Sequence, residues 1–153
     1  MKVERVTEAD EALAEAVGRL VPQLSPTRPP AGLAELVELT GTPGTNLIVA
    51  RDGHAVLGML TLIVYRVPTG IRAWIHDVVV DESARGRGVG EALAREALRL
   101  AGDAGAISVE LTTRQEREAA NRLYRRLGFE QRRTNVYVWR PRPEPGSVFE
   151  PGS

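Results

Sequence analysis

The chain has 153 residues, 20 Lys and Arg against 20 Asp and Glu, no cysteine and two histidines. That length suits one domain with a substantial core, and a net charge of zero supplies no global field for nucleic acid or a membrane surface. Without cysteine there is no disulfide, thiolate nucleophile or thiolate metal site, and His54 and His76 alone would leave a zinc ion to carboxylates. Every basic residue except Lys2 is arginine, which suits phosphate and cannot shuttle protons. No signal-peptide pattern or bilayer-length apolar run is visible, so the expected location is cytoplasmic.

Residues 1–6 alternate apolar and polar, as an edge strand does. Thr7-Glu8-Ala9-Asp10 resembles a capping box, and Leu13, Val17, Leu20 and Val21 follow at helical spacing until Pro22, which is expected to stop the helix. A proline-rich loop (22–30) leads to a shorter helix across Leu33, Leu36, Val37 and Leu39. Gly41 and Pro43-Gly44 turn the chain into two strands, 46–50 and 55–65, joined at Asp52-Gly53. Pro68-Thr69-Gly70 then leads into a strand over 71–80, completing an antiparallel meander.

Leu93, Ala94, Ala97, Leu100 and Ala101 predict the next helix, with Glu91 and Arg95 paired outside and Gly102 or Gly105 as its end. Ile107, Val109 and Leu111 alternate as a strand, which the preceding helix makes parallel to strand 71–80. Thr113-Arg114-Gln115-Glu116 resembles a second capping box, opening a helix that turns Ala120, Leu123 and Leu127 inward and closes at Gly128. Residues 129–133 and 135–140 read as a final hairpin. Residues 1–140 therefore form one expected domain, and 141–153 a Pro/Gly/Ser-rich tail lying extended on the surface or on a partner.

Between strand 71–80 and the next helix lies Asp81-Glu82-Ser83-Ala84-Arg85-Gly86-Arg87-Gly88-Val89-Gly90. Glycines let backbone approach a ligand, and a helix N-terminus offers free N–H groups and a positive dipole end, so a phosphate or pyrophosphate is the expected guest. Two familiar phosphate motifs fail here. A P-loop needs lysine after its last glycine, where this chain has Glu91, and a dinucleotide fingerprint counted from Gly86 meets the same glutamate in place of its third glycine.

What remains, Arg85-x-x-Gly88-x-Gly90 between a strand and a helix, resembles the pyrophosphate loop of the GNAT superfamily of N-acyltransferases. The element order over residues 1–140 and the run from Asn121 through Tyr124 to Phe129 are similar to that family too. The resemblance implies an α/β (α+β) fold: a mixed, mostly antiparallel twisted sheet of about seven strands with about four helices, splayed between the fourth and fifth strands. It also implies acetyl-CoA as co-substrate, with no metal, and a primary amine as acceptor, a small molecule rather than a protein. No nucleic-acid or membrane partner is expected, and a homodimer is common in such a family.

The residues fit that chemistry on their own terms. Amides of Gly86, Arg87, Gly88, Val89 and Gly90 can take a pyrophosphate, with charge from Arg85 or Arg87. The pantetheine arm needs a free strand edge, which the resemblance places on the backbone of Val78, Val79 and Val80, whose side chains are core-like. It assigns Asn121 to the arm and Tyr124 to protonating the departing thiolate. Tyr124 also borders an apolar stripe, so a core tyrosine is the plainer alternative.

An ammonium group cannot attack a thioester until it loses a proton, so a base is required. Strict alternation puts Trp74, His76, Val78 and Val80 on one strand face and Ile75, Asp77 and Val79 on the other. Some members of the family this chain resembles carry histidines or a glutamate at positions matching Trp74 and His76, so the resemblance makes His76 the candidate base, directly or through water, with Asp77 as runner-up and a merely structural histidine as the alternative. Residues 75–90 and Val21-Pro22-Gln23-Leu24-Ser25 resemble pieces of the glucosamine-6-phosphate N-acetyltransferases, which makes a small phosphorylated or polar amine worth testing. A non-catalytic acyl-CoA-binding or sensor domain is the alternative reading of the whole.

Overall fold

A computed structural model describes residues 1–141. In order they form β1 (Lys2–Arg5), α1 (Glu11–Leu24), α2 (Leu33–Gly41), β2 (Thr45–Asp52), β3 (Ala55–Val67) and β4 (Gly70–Val80). A short 3-10 turn (Glu82–Ala84) follows, then α3 (Val89–Asp103), β5 (Val109–Glu110) and α4 (Glu118–Arg126). The sheet runs β1-β2-β3-β4-β5, antiparallel as far as β4 and parallel between β4 and β5.

Both faces of the sheet are covered, which explains the unbroken apolar run Leu47-Ile48-Val49-Ala50 in β2. Ile48 and Ala50 join Leu60, Leu62, Ala73 and Ile75 beneath Val89, Leu93, Ala97 and Ala101 of α3. Leu47 and Val49 join Val56, Met59 and Val79 beneath Leu13, Ala16, Val17 and Leu20 of α1 and Leu36 of α2. Leu20, Leu60 and Leu93 lose all solvent contact, and each such burial stabilises by about 1.5–3 kcal/mol.

Helix ends follow their local chemistry. Asp10 caps α1 by accepting from the Leu13 N–H, so the cap lies at the last residue of the expected box. Pro22 sits inside α1 and does not stop it; the helix continues to Leu24 before the chain turns extended at Ser25. Past the end of α3, Gly105 (φ +81°) lets Ala106 N–H reach Ala101 O and Gly105 N–H reach Gly102 O. Gly128 (φ +95°) does the same for α4, with Phe129 N–H donating to Tyr124 O.

Three further expectations are corrected. The box at Thr113–Glu116 does not cap α4, which starts at Glu118 with no side-chain cap bond at Arg117. The strand expected across Ile107–Leu111 is reduced to Val109 and Glu110, preceded by backbone bonds from Ile107 N–H to Ile71 O and from Ala73 N–H to Ser108 O. The hairpin expected at 129–140 has no strand among the described residues, so the sheet has five strands rather than about seven. Alternation needs a neighbouring ladder to become a strand, and β5 offers two residues; Val136, Tyr137, Val138 and Trp139 remain exposed. The tail from 142 lies outside the described residues.

Candidate active site

β4 provides the first component. Its pairing with β5 stops at Trp74↔Glu110, while β4 itself runs on to Val80. On its other side β4 stays paired with β3, from Thr61↔His76 through Met59↔Val79 to Gly58↔Val80. The edge facing β5 is therefore open from Ile75 onward, the splay that the family resemblance implied. Backbone N–H and C=O groups of Val78, Val79 and Val80 lie along this stretch.

A bulge changes the faces of the strand. Between Met59↔Val79 and Thr61↔His76, the two residues Asp77 and Val78 stand opposite Leu60 alone, and Asp77 takes φ +51°. Strict alternation fails here as a result. Ala73 and Ile75 point to the α3 side, yet beyond the bulge it is Val78 and Val80 that pack on that side, while Val79 joins the α1 side. His76 and Asp77 are both exposed at the bulge, and the His76 ring lies 6.1 Å from that of Trp74. A non-glycine residue at positive φ is strained, and such strain concentrates at functional sites.

The second component is the turn after β4. Asp81 is buried: its Oδ1 accepts from the N–H and hydroxyl of Ser83, and its Oδ2 from Arg19 Nε at 2.9 Å. The Ser83 N–H bond first, then that of Arg19, hold the Asp81 carboxyl below its usual range against the opposing effect of burial. Arg85, Gly86, Arg87 and Gly88 then cross the surface exposed, with Gly86 at φ +79° and Gly88 at φ +77°. Open space surrounds both glycines: a methyl group at either would meet nothing within 4 Å. Gly88 caps α3, and Ala92 N–H closes the first helical bond on its carbonyl, so the N–H groups of Val89, Gly90 and Glu91 emerge at the helix end. Arg87 reaches Asp52 at 3.5 Å across an exposed surface, a contact worth little and easily given up.

Burial of Val89 and Leu93 fixes the start of α3. Gly58 on β3 makes that possible, since a Cβ there would lie 2.9 Å from Val79 O and 3.1 Å from Val89 Cγ1. Sequence reasoning missed Gly58, whose only mark is a glycine inside a strand, a sign of close backbone approach.

α4 supplies the third component. Gly90 sits where an added methyl would touch Leu123 of α4 at 3.5 Å and Val80 at 3.7 Å, and Arg126 lies 3.6 Å from Glu91. These contacts join α4 to the loop. Tyr124 is buried beside Phe129, and burial pushes its phenol pKa up while the Arg117 charge pulls weakly the other way. Asn121 lies one turn earlier, but its Nδ2 donates to the carbonyls of both Arg114 and Arg117. With both amide hydrogens committed, any hold on a ligand falls to its Oδ1.

With this geometry in hand, the family comparison is decisive: the model for the "Acetyltransferase (GNAT) family" matches residues 13–129. The chain belongs to the GNAT acetyltransferase family. A putative acetyltransferase from Agrobacterium tumefaciens shares the GNAT fold, with a TM-score of 0.80 over 92% of this chain and all of that one, at 23% identity. The aminoglycoside N-acetyltransferase AAC(6')-Iy in complex with CoA has a TM-score of 0.75 at 21% identity, covering 93% of this chain and 95% of that one. An uncharacterized N-acetyltransferase of Methanocaldococcus jannaschii is 43% identical over 60 residues, 39% of this chain. That match spans 26% of the archaeal protein, and a second, to a Mycobacterium leprae protein, spans 15% of its length. Among the described residues no helix is long and apolar enough to cross a membrane, and no cluster of three His, Asp or Glu could hold a metal.

Proposed function

We propose that this GNAT protein transfers an acetyl group from acetyl-CoA to a primary amine on a small molecule, by direct attack in a ternary complex. One observation carries the reading: an exposed loop with two left-handed glycines leads into the head of α3, beside the open edge of β4. Such a loop fits a diphosphate, and such an edge fits the amides of a pantetheine arm. The CoA complex of the aminoglycoside acetyltransferase, a protein of the same fold, supports the same co-substrate here.

In this reading the amides of Gly86 to Gly90 grip the pyrophosphate, with Arg85 and Arg87 adding charge. The backbone of Val78, Val79 and Val80 lines up the arm, and Asn121 Oδ1 meets it from α4. His76, directly or through water, takes the proton that the ammonium must lose, with Asp77 beside it as the other candidate. The neutral amine attacks the thioester carbonyl and a β4 amide steadies the developing oxyanion; the C–S bond then breaks as Tyr124 gives its proton to the leaving thiolate, and the proton shed by the newly acylated nitrogen restores the phenol through solvent. Burial keeps the Tyr124 proton in place until that moment.

The test is acetyl-CoA consumption against a panel of amines that includes aminoglycosides and amino sugar phosphates. Turnover with at least one amine, linked to acetylated product, is the expected result. CoA binding with no turnover on any amine would instead favour a sensor domain.

A further inference from the structure

The turn that feeds the Arg/Gly loop is held by a helix far away in sequence. Arg19, midway along α1, donates from Nε to Asp81 Oδ2 at 2.9 Å and from Nη2 to Val56 O at 2.7 Å. One helical turn later, Gln23 Oε1 accepts the Glu82 N–H at 2.9 Å, while Gln23 Nε2 donates back to Arg19 O. Asp81 N–H is bound to Leu57 O, and its carboxylate gathers both donors of Ser83. Residues 81–83 are thus clamped by α1 and by the start of β3. Ala84, fully buried in the core with its N–H bonded to Asp81 O, continues this anchor, and the next fixed points downstream are Val89 and Leu93, buried against the sheet. Between the two anchors, Arg85 to Gly88 hang exposed with left-handed glycines that resist no rotation by themselves.

We infer that Arg19 and Gln23 are positioning residues for diphosphate binding: they fix the upstream end of the loop so that its amides converge on the ligand. The inference rests on the acetyl-CoA reading of that loop. Neither side chain belongs to the core. Arg19 is half exposed, whereas α1 is seated by Leu13, Ala16, Val17 and Leu20. Truncating Arg19 or Gln23 therefore loosens the upstream anchor, leaving it the burial of Ala84 and the Asp81 bond to Leu57 O, without unseating the helix. Arg19→Lys keeps a cation for Asp81 but not the two-pronged reach to Val56 O, so it should act partway.

The experiment compares wild type, Arg19→Ala, Arg19→Lys and Gln23→Ala by CoA titration calorimetry, acetyl-CoA kinetics and amide hydrogen exchange. Expected are faster exchange at residues 82–88 and CoA affinity weakened about three- to thirtyfold in the alanine variants, with Arg19→Lys between. The KM for acetyl-CoA should rise in step while kcat holds. Wild type that binds CoA, with alanine variants that bind it equally well, overturns the positioning role and leaves the function intact. Wild type that binds no CoA overturns both.

Discussion

Tyr124 and Phe129 meet edge to face across the end of α4, ring centroids 5.5 Å apart and planes at 66°. The turn at Gly128 brings them together by folding Phe129 back so that its N–H binds Tyr124 O. Burial of the phenol raises its pKa, which would suit the proton donor proposed for the departing thiolate. Tyr124→Phe keeps the ring contact and removes only the hydroxyl. The expected result is a kcat lower by about a hundredfold or more with CoA affinity nearly unchanged, read by steady-state kinetics and calorimetry.

Gly86 and Gly88 adopt left-handed conformations, yet space is open around both. Alanine at either should therefore cost only its dihedral strain, about 1–2 kcal/mol in urea unfolding, and should weaken CoA binding by disturbing the loop. Gly90 is the control. Its φ is unexceptional and its neighbours stand at ordinary contact distance, so Gly90→Ala should lose less stability than Gly88→Ala.

His76 and Asp77 are separated by experiment at the bulge. If His76 is the base, His76→Gln removes the limb of the pH–rate profile that reports base deprotonation, and Asp77→Asn keeps it. The reverse pattern would assign the role to Asp77.

Asp81 makes acid stability predictable. Its folded-state pKa is lowered, so at low pH the unfolded chain binds more protons than the folded one. The stability it contributes is fully present above the unfolded carboxylate pKa, about pH 4, and is lost as pH falls through the lower folded value. Asp81→Asn should be less stable than wild type near neutrality, and the gap should close under acid. Urea midpoints measured at several pH values check this.

Much of this was legible in the chain itself. The meander, the α3 periodicity and the Arg85-x-x-Gly88-x-Gly90 run lie in local patterns, and local patterns survive folding. The bulge at Asp77 did not show, because period-two reasoning assumes a continuous ladder and Leu60, opposite the bulge, lies far off in sequence. Arg19 was equally hidden: its partner Asp81 is 62 residues away, and nothing around either residue marks the other. The hairpin at 129–140 erred the other way, since its apolar alternation is real while β5 is too short to template it.

The central claim is that backbone amides at the head of α3 hold the diphosphate of CoA. Titrating CoA into labelled protein and following the amide signals by NMR tests it most directly. We expect the largest shifts at residues 86–91, with a second group at 78–80 along the open edge of β4. Shifts confined to other surfaces, or none at millimolar CoA, would contradict it.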